Sequence, residues 1–77
     1  MSRQTADLFA HTLTEAIYHI RHREQKSVRM VQDELGYALG KKGGASIEHW
    51  RKGHVPARLA DVERLAREIV ARSDLGS

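Results

Sequence analysis

Residues 32–53 read Q-D-E-L-G-Y-A-L-G-K-K-G-G-A-S-I-E-H-W-R-K-G, a run in which apolar side chains recur at helical steps and glycines break the repeat. Leu35 and Leu39 stand four apart, and Ile47 and Trp50 three apart, so each pair faces one way on a helix. Gly40 lies between the pairs and is able to take the left-handed conformation that ends a helix. The spacing predicts two helices joined by a tight turn. The second is short, with Gly43 to His49 thrust outward and Lys41, Lys42, Arg51 and Lys52 on its flanks.

The helical repeat continues on both sides. Leu8, Phe9, Leu13, Ala16, Ile17 and Ile20 predict a first helix over 5–23, capped by Ser2 or Thr5, with cations in its last turn. The periodicity lapses at Gln25–Ser27, and Ser27 or Val31 begins a second helix with Val28, Val31, Leu35, Ala38 and Leu39 facing inward. Asp33 and Glu34 fall in its early turns, where anions are favoured. The third helix is expected to start at Gly43 or Gly44 and to end at Lys52 and Gly53. Pro56 suits the first turn of a fourth, in which Leu59, Val62, Leu65, Ala66, Ile69 and Val70 repeat as far as Ala71 and close the bundle. Arg72–Ser77 reads as a frayed end.

A chain of 77 residues is one domain, here with its core over about 5–71. One Pro and four aromatics (one Trp, two Tyr, one Phe) argue against a sandwich or barrel and for an all-α bundle of four helices, with a fifth at most rudimentary. No Cys is present, so disulfides and thiolate metal sites are excluded. The apolar stretches are too short to cross a bilayer and the N-terminus lacks a signal-like apolar run, so the expected location is cytoplasmic, with no membrane partner.

The net charge of +3 is unevenly placed. Arg21 to Lys52 holds eight Lys or Arg against four acids, or +4, and the remainder holds five against six, or −1. His19, His22, His49 and His54 lie in or beside the basic stretch and add charge when protonated. This asymmetry favours a polyanionic partner.

The run V-Q-D-E-L-G-Y-A-L-G, followed by S-I-E-H-W-R-K-G-H-V-P, resembles the helix-turn-helix of the Cro/phage-repressor, or XRE, family. Gln32, Leu35, Gly40, Ile47, Trp50, Gly53 and Pro56 fall on the positions of that family's pattern without a gap, and Leu65-Ala66 matches its later Ile-Ala pair after one insertion. The match spans roughly residues 28–70, and its spacing is the specific part. The resemblance implies a lambda-repressor-like bundle in a transcriptional regulator. Its third helix would enter the major groove of double-stranded DNA, and Gln32 near the start of the second would meet a phosphate.

On that reading the base-facing positions are Gly44, Ala45, Ser46, Glu48 and His49. Gly44 and Ala45 replace the Gln, Arg or Ser common in the family and carry no hydrogen-bonding side chain, which leaves Ser46, Glu48 and His49 to read bases and Ala45 to touch a thymine methyl. The phosphate candidates are Gln32, Lys41, Lys42, Gly43, Arg51, Lys52, His54 and Arg58. Arg51 stands where the family often has an acid that pairs within the domain, so it is read as a phosphate contact or as the sign of a replaced pair. Trp50 is assigned to the core.

Other classes find less support. His19 and His22 are spaced i, i+3 but lack a third ligand, so no metal and no cofactor is expected. Gly43-Gly44 lacks the G-K-S/T of a phosphate-binding loop, and a chain this short offers little with which to enclose a reaction, so an enzyme is not expected. The alternative is a protein-interaction or antitoxin-like module on the same scaffold, its DNA reading weakened or lost. Family members bind inverted repeats as homodimers, often through a fifth helix. Here that helix is absent or reduced to Ser73–Leu75. Either the chain is a piece of a longer regulator or self-association falls to the fourth helix and the loop before it, and weak or no dimerisation is expected.

Overall fold

The computed structural model describes residues 3–73, and within them the chain is all-α: α1 (Arg3–Glu24), α2 (Val28–Ala38), α3 (Ala45–Arg51) and α4 (Leu59–Ser73). The central helix is α1, which packs against the other three through Ala10, Leu13, Ala16, Ile17 and Ile20. Val31, Leu35, Leu39, Ile47, Trp50 and Leu65 complete one core, and Ile17, Ile20, Val31, Leu35 and Ile47 are wholly enclosed. α2 also touches both α3 and α4, whereas α3 and α4 do not pack on each other. The molecule therefore has an α3 side and an α4 side, separated by α1 and α2.

Three helix ends use the same device. Beyond α2, Gly40 takes φ 81 while its N–H bonds Tyr37 O at 2.9 Å and the Lys41 N–H bonds Gly36 O at 2.9 Å. This is the paired closure of a left-handed cap. Gly53, at φ 109, ends α3 likewise, with the His54 N–H on His49 O at 3.1 Å. α1 ends through Gln25 at φ 54, a non-glycine in that region, with the Lys26 N–H on Arg21 O at 3.1 Å. Ser27 caps α2, its hydroxyl accepting from the Met30 N–H at 3.1 Å.

Several boundaries differ from the sequence expectation. α1 begins at Arg3, so Thr5 lies inside it, and Ser2 falls outside the described residues. Pro56 sits in the 52–58 connection instead of the first turn of α4, which starts at Leu59. Gln32, Asp33 and Glu34 stand in the middle of α2 because capping at Ser27 sets the helix start earlier. The connection from α2 to α3 runs over 39–44 and is wide, so α3 begins at Ala45 with Gly44 as its cap residue.

Arg72 is a tether and not a frayed end. Its guanidinium bonds Glu24 at 2.9 Å and Glu34 at 2.6 Å, and Lys26 bridges the same two carboxylates at 3.0 and 2.9 Å. Four charges thus join the ends of α1 and α4 to the middle of α2. Hydrogen bonds from Arg72 and then Lys26 hold the Glu24 carboxyl down, from 4.5 to about 2. Glu34 is lowered chiefly by Lys26, and Lys26 is raised chiefly by Glu34. Residues 74–77, where the rest of the expected tail and most of the vestigial fifth helix fall, lie outside the described residues.

The fourth helix does not close the bundle as its stripe suggests. Among the described side chains of α4 only Leu65 is buried, at 2% exposure, while Leu59 is 73% and Val70 48% exposed. Leu8 on α1 is likewise exposed, and Phe9 half-buried. Periodicity places these residues on one face but supplies no neighbour to cover them.

Candidate nucleic-acid interface

α3 is seven residues long, too short to hold itself in place by backbone bonds alone. Its seat is provided by α2. Asp33 Oδ1 accepts from the Gly44 N–H at 2.9 Å, so a side chain of one helix caps the start of the next. Gly36 and Gly44 make the approach feasible. A Cβ on Gly36 would overlap the Gly43 carbonyl oxygen, and one on Gly44 would lie 2.7–2.8 Å from the backbone of Gln32 and Asp33. Gly44 is accordingly buried against α2, which corrects its assignment as a base-facing residue: no side chain fits between it and the α2 backbone.

With Ile47 and Trp50 enclosed, the opposite side of α3 is uncovered. Ala45, Glu48 and His49 are exposed, Ser46 is half-buried, and Lys52 beyond the helix end is exposed. Glu48 pairs with Lys52 at 3.3 Å, one turn apart. The cap at Gly53 folds His54 back, leaving its ring 5.8 Å from that of His49. Two imidazoles and an ammonium thus cluster at the end of the exposed flank.

Beside this flank runs an open groove of about 750 Å³ between α2, the 42–44 connection and α3. Arg29, Lys42 and Arg51 line it against Asp33 and Glu48, together with Gln32 and the backbone of Gly43 and Gly44. Three cations face two acids, and both acids already have partners, Asp33 on the α3 cap and Glu48 on Lys52.

Arg51 explains the departure seen in the sequence. Its Nη1 donates to Gln32 Oε1 at 2.6 Å and its Nε to Thr14 Oγ1 at 3.4 Å, while the guanidinium lies 5.6 Å from the centre of the Tyr18 ring. Thr14 in turn donates to Ala10 O at 2.8 Å. Arg51 therefore ties α3 to α1 and α2, in place of the acid-based pair. Because a guanidinium only donates, its bond fixes which end of the buried Gln32 amide is oxygen and leaves the NH₂ on the other side.

Six of the eight phosphate candidates fall into two groups. Gln32, Lys42, Gly43 and Arg51 meet at the groove, and Lys52 and His54 cluster at the end of α3. Lys41 is turned the other way, its Nζ 3.7 Å from Asp61 of α4 and 5.8 Å from the centre of the Trp50 ring. Arg58 is exposed ahead of α4 and does not line the groove. Arg29 is a groove residue that the sequence motif does not single out. It stands three before Gln32 on α2, so helical spacing alone would have put it on the same face. Thr14 and Tyr18, remote in sequence, leave no such signal.

Among the described residues, no group of three or more His, Cys, Asp or Glu is disposed to hold a metal ion, and no helix is long and apolar enough to cross a membrane. No protein-family model matches the chain, and no curated protein or solved structure matches it significantly.

Proposed function

We propose that this chain is a sequence-specific duplex DNA-binding domain of a transcriptional regulator that lays α3 in the major groove. The observation that carries this reading is the uncovered flank of α3, anchored from behind by Ile47 and Trp50 and bordered by a groove rich in cations. The resemblance of residues 28–70 to the Cro/repressor helix-turn-helix supports the same docking. Ser46, Glu48 and His49 are the base readers in this arrangement, with the Ala45 methyl for thymine. Arg29, Lys42, Lys52 and His54 meet phosphates, and the Gln32 NH₂, oriented by Arg51, adds a neutral donor. With so few base-reading side chains, backbone contacts supply most of the affinity. No chemical step is involved.

The test is a titration of labelled random-sequence duplex at about 50 and 200 mM salt, followed by selection of the bound sequences. Binding at the lower concentration that weakens steeply at the higher, with enrichment of a preferred site, is the expected result. A second reading, a protein-interaction module, draws on the apolar groove between α1 and α4 lined by Phe9, Leu13, Ala16 and Ile69. With its DNA reading weak or lost, such a module gives little or no duplex binding and no enriched sequence even at the lower salt, so the titration and selection together separate the two.

A further inference from the structure

We propose that Asp33 is a positioning residue for sequence reading whose charge also limits how strongly the groove binds phosphate. The inference rests on the DNA-binding reading above and names what governs discrimination within it. Asp33 stands on α2 between Gln32 and Glu34, and Glu34 is taken up by Lys26 and by Arg72 of α4. Asp33 reaches α3 instead. Its Oδ1 accepts from the Gly44 N–H at 2.9 Å, and the Gly44 carbonyl accepts from the Glu48 N–H at 2.9 Å, the first bond of α3. Gly44 is therefore the joint through which α2 sets the start of α3, and Ala45 and Ser46, the first two base-facing residues of that helix, follow directly. A seven-residue helix needs such an outside partner to keep one position.

The same carboxylate lies in the groove where phosphate is to be met. Arg29, Lys42 and Arg51 line that groove with it, yet among the described residues Asp33 forms no ion pair, although Arg29 precedes it by one helical turn. Arg51 is held by Gln32 and Thr14. The negative charge of Asp33 is thus met by a backbone N–H alone and acts on an approaching phosphate, which it repels over a distance set by salt. Two substitutions separate the roles. Asparagine keeps an oxygen at the capping position without the charge, whereas alanine removes both.

Titrations of the intact wild-type chain, Asp33→Asn and Asp33→Ala against the duplex enriched by selection and against a scrambled duplex test it, with thermal melts confirming that each variant is folded. Asp33→Asn should raise affinity for both duplexes about threefold at about 50 mM salt, with the gain shrinking at about 200 mM and the ratio between the duplexes unchanged. Asp33→Ala should cut that ratio about fivefold, the effect of one lost cap. Glu63→Gln removes an exposed carboxylate from α4, which does not pack on α3, and should leave both affinities nearly unchanged. A wild-type chain with no preferred duplex overturns the DNA-binding reading and this inference together. With a preferred duplex in hand, the inference alone falls if Asp33→Asn gains no more affinity than Glu63→Gln, if Asp33→Asn loses the preference, or if folded Asp33→Ala keeps it. Should Asp33→Ala fail to fold, the asparagine variant decides the matter by its affinity and its preference.

Discussion

α3 and α4 are seated on the same two helices, yet the shorter is held more completely. In seven residues α3 encloses Ile47 and Trp50, has its start capped by Asp33, its end closed at Gly53, and its last residue bonded to α1 and α2 through Arg51. Among its described side chains the fifteen-residue α4 buries only Leu65, and it relies on Lys41–Asp61 near its start and on Arg72 near its end. Close approach makes the difference. Gly36 and Gly44 let the α3 segment sit directly on the backbone of α2, whereas the apolar stripe of α4 is wider than the surface α1 offers it. Burial depends on how near a neighbour comes, and helix length does not substitute for it.

That contrast is open to direct attack. The largest effect is expected at Ile47→Ala, about 2–5 kcal/mol in urea unfolding, because a fully enclosed side chain leaves a cavity when truncated. Losing less than that would mean the seat of α3 collapses easily, and the asymmetry would go. Arg51→Ala should follow at about 1–3 kcal/mol, since it strips the donor from the buried Gln32 oxygen, and Arg51→Lys should recover only part of the loss.

Acid tests the tether of α4. Glu24 is held well below its ordinary value of 4.5, so its ion pairs contribute in full above that pH and are lost as the pH falls towards about 2. Stability should decline through this window in the wild type and decline less steeply in Arg72→Ala, whose Glu24 has lost its principal partner. Equal slopes in the two proteins would show that the network does not fasten α4.

On the proposed DNA-binding reading, two adjacent lysines tell the sides apart. Lys42→Ala should reduce the salt slope of duplex binding by about 0.9, one phosphate contact. Lys41→Ala, whose ammonium is turned to Asp61 and Trp50, should leave the slope nearly unchanged. A reversed result would place the phosphates on the α4 side. The smallest effect belongs to Leu59→Ala, within about 0.5 kcal/mol of wild type at concentrations where the chain is monomeric, because that side chain has little packing to lose.

Much of this arrangement is legible in the residue order. Apolar steps of three and four mark all four helices, the inward turn of Ile47 and Trp50 is readable from their spacing, and Gly40 and Gly53 stand at positive φ where helix stops are expected. The exposed flank of α3 follows from the same spacing. Gly44 escapes such a reading because its role is set by a backbone eleven or more residues away in α2, which local pattern does not report. Leu59 and Val70 look like core residues for a related reason: a stripe announces a face and says nothing of what lies across from it.

The order of amino acids by itself determined the helices, their stops and the concentration of positive charge in the middle of the chain, since each rests on neighbours within a few residues. Only the folded chain decided that Arg51 clasps Gln32 and Thr14, that Asp33 caps a different helix, that Arg72 fastens α4, and that one side of the molecule stays uncovered. Those outcomes join residues up to 48 positions apart, and the distances at which hydrogen bonds and packing act are met there only once the helices have docked.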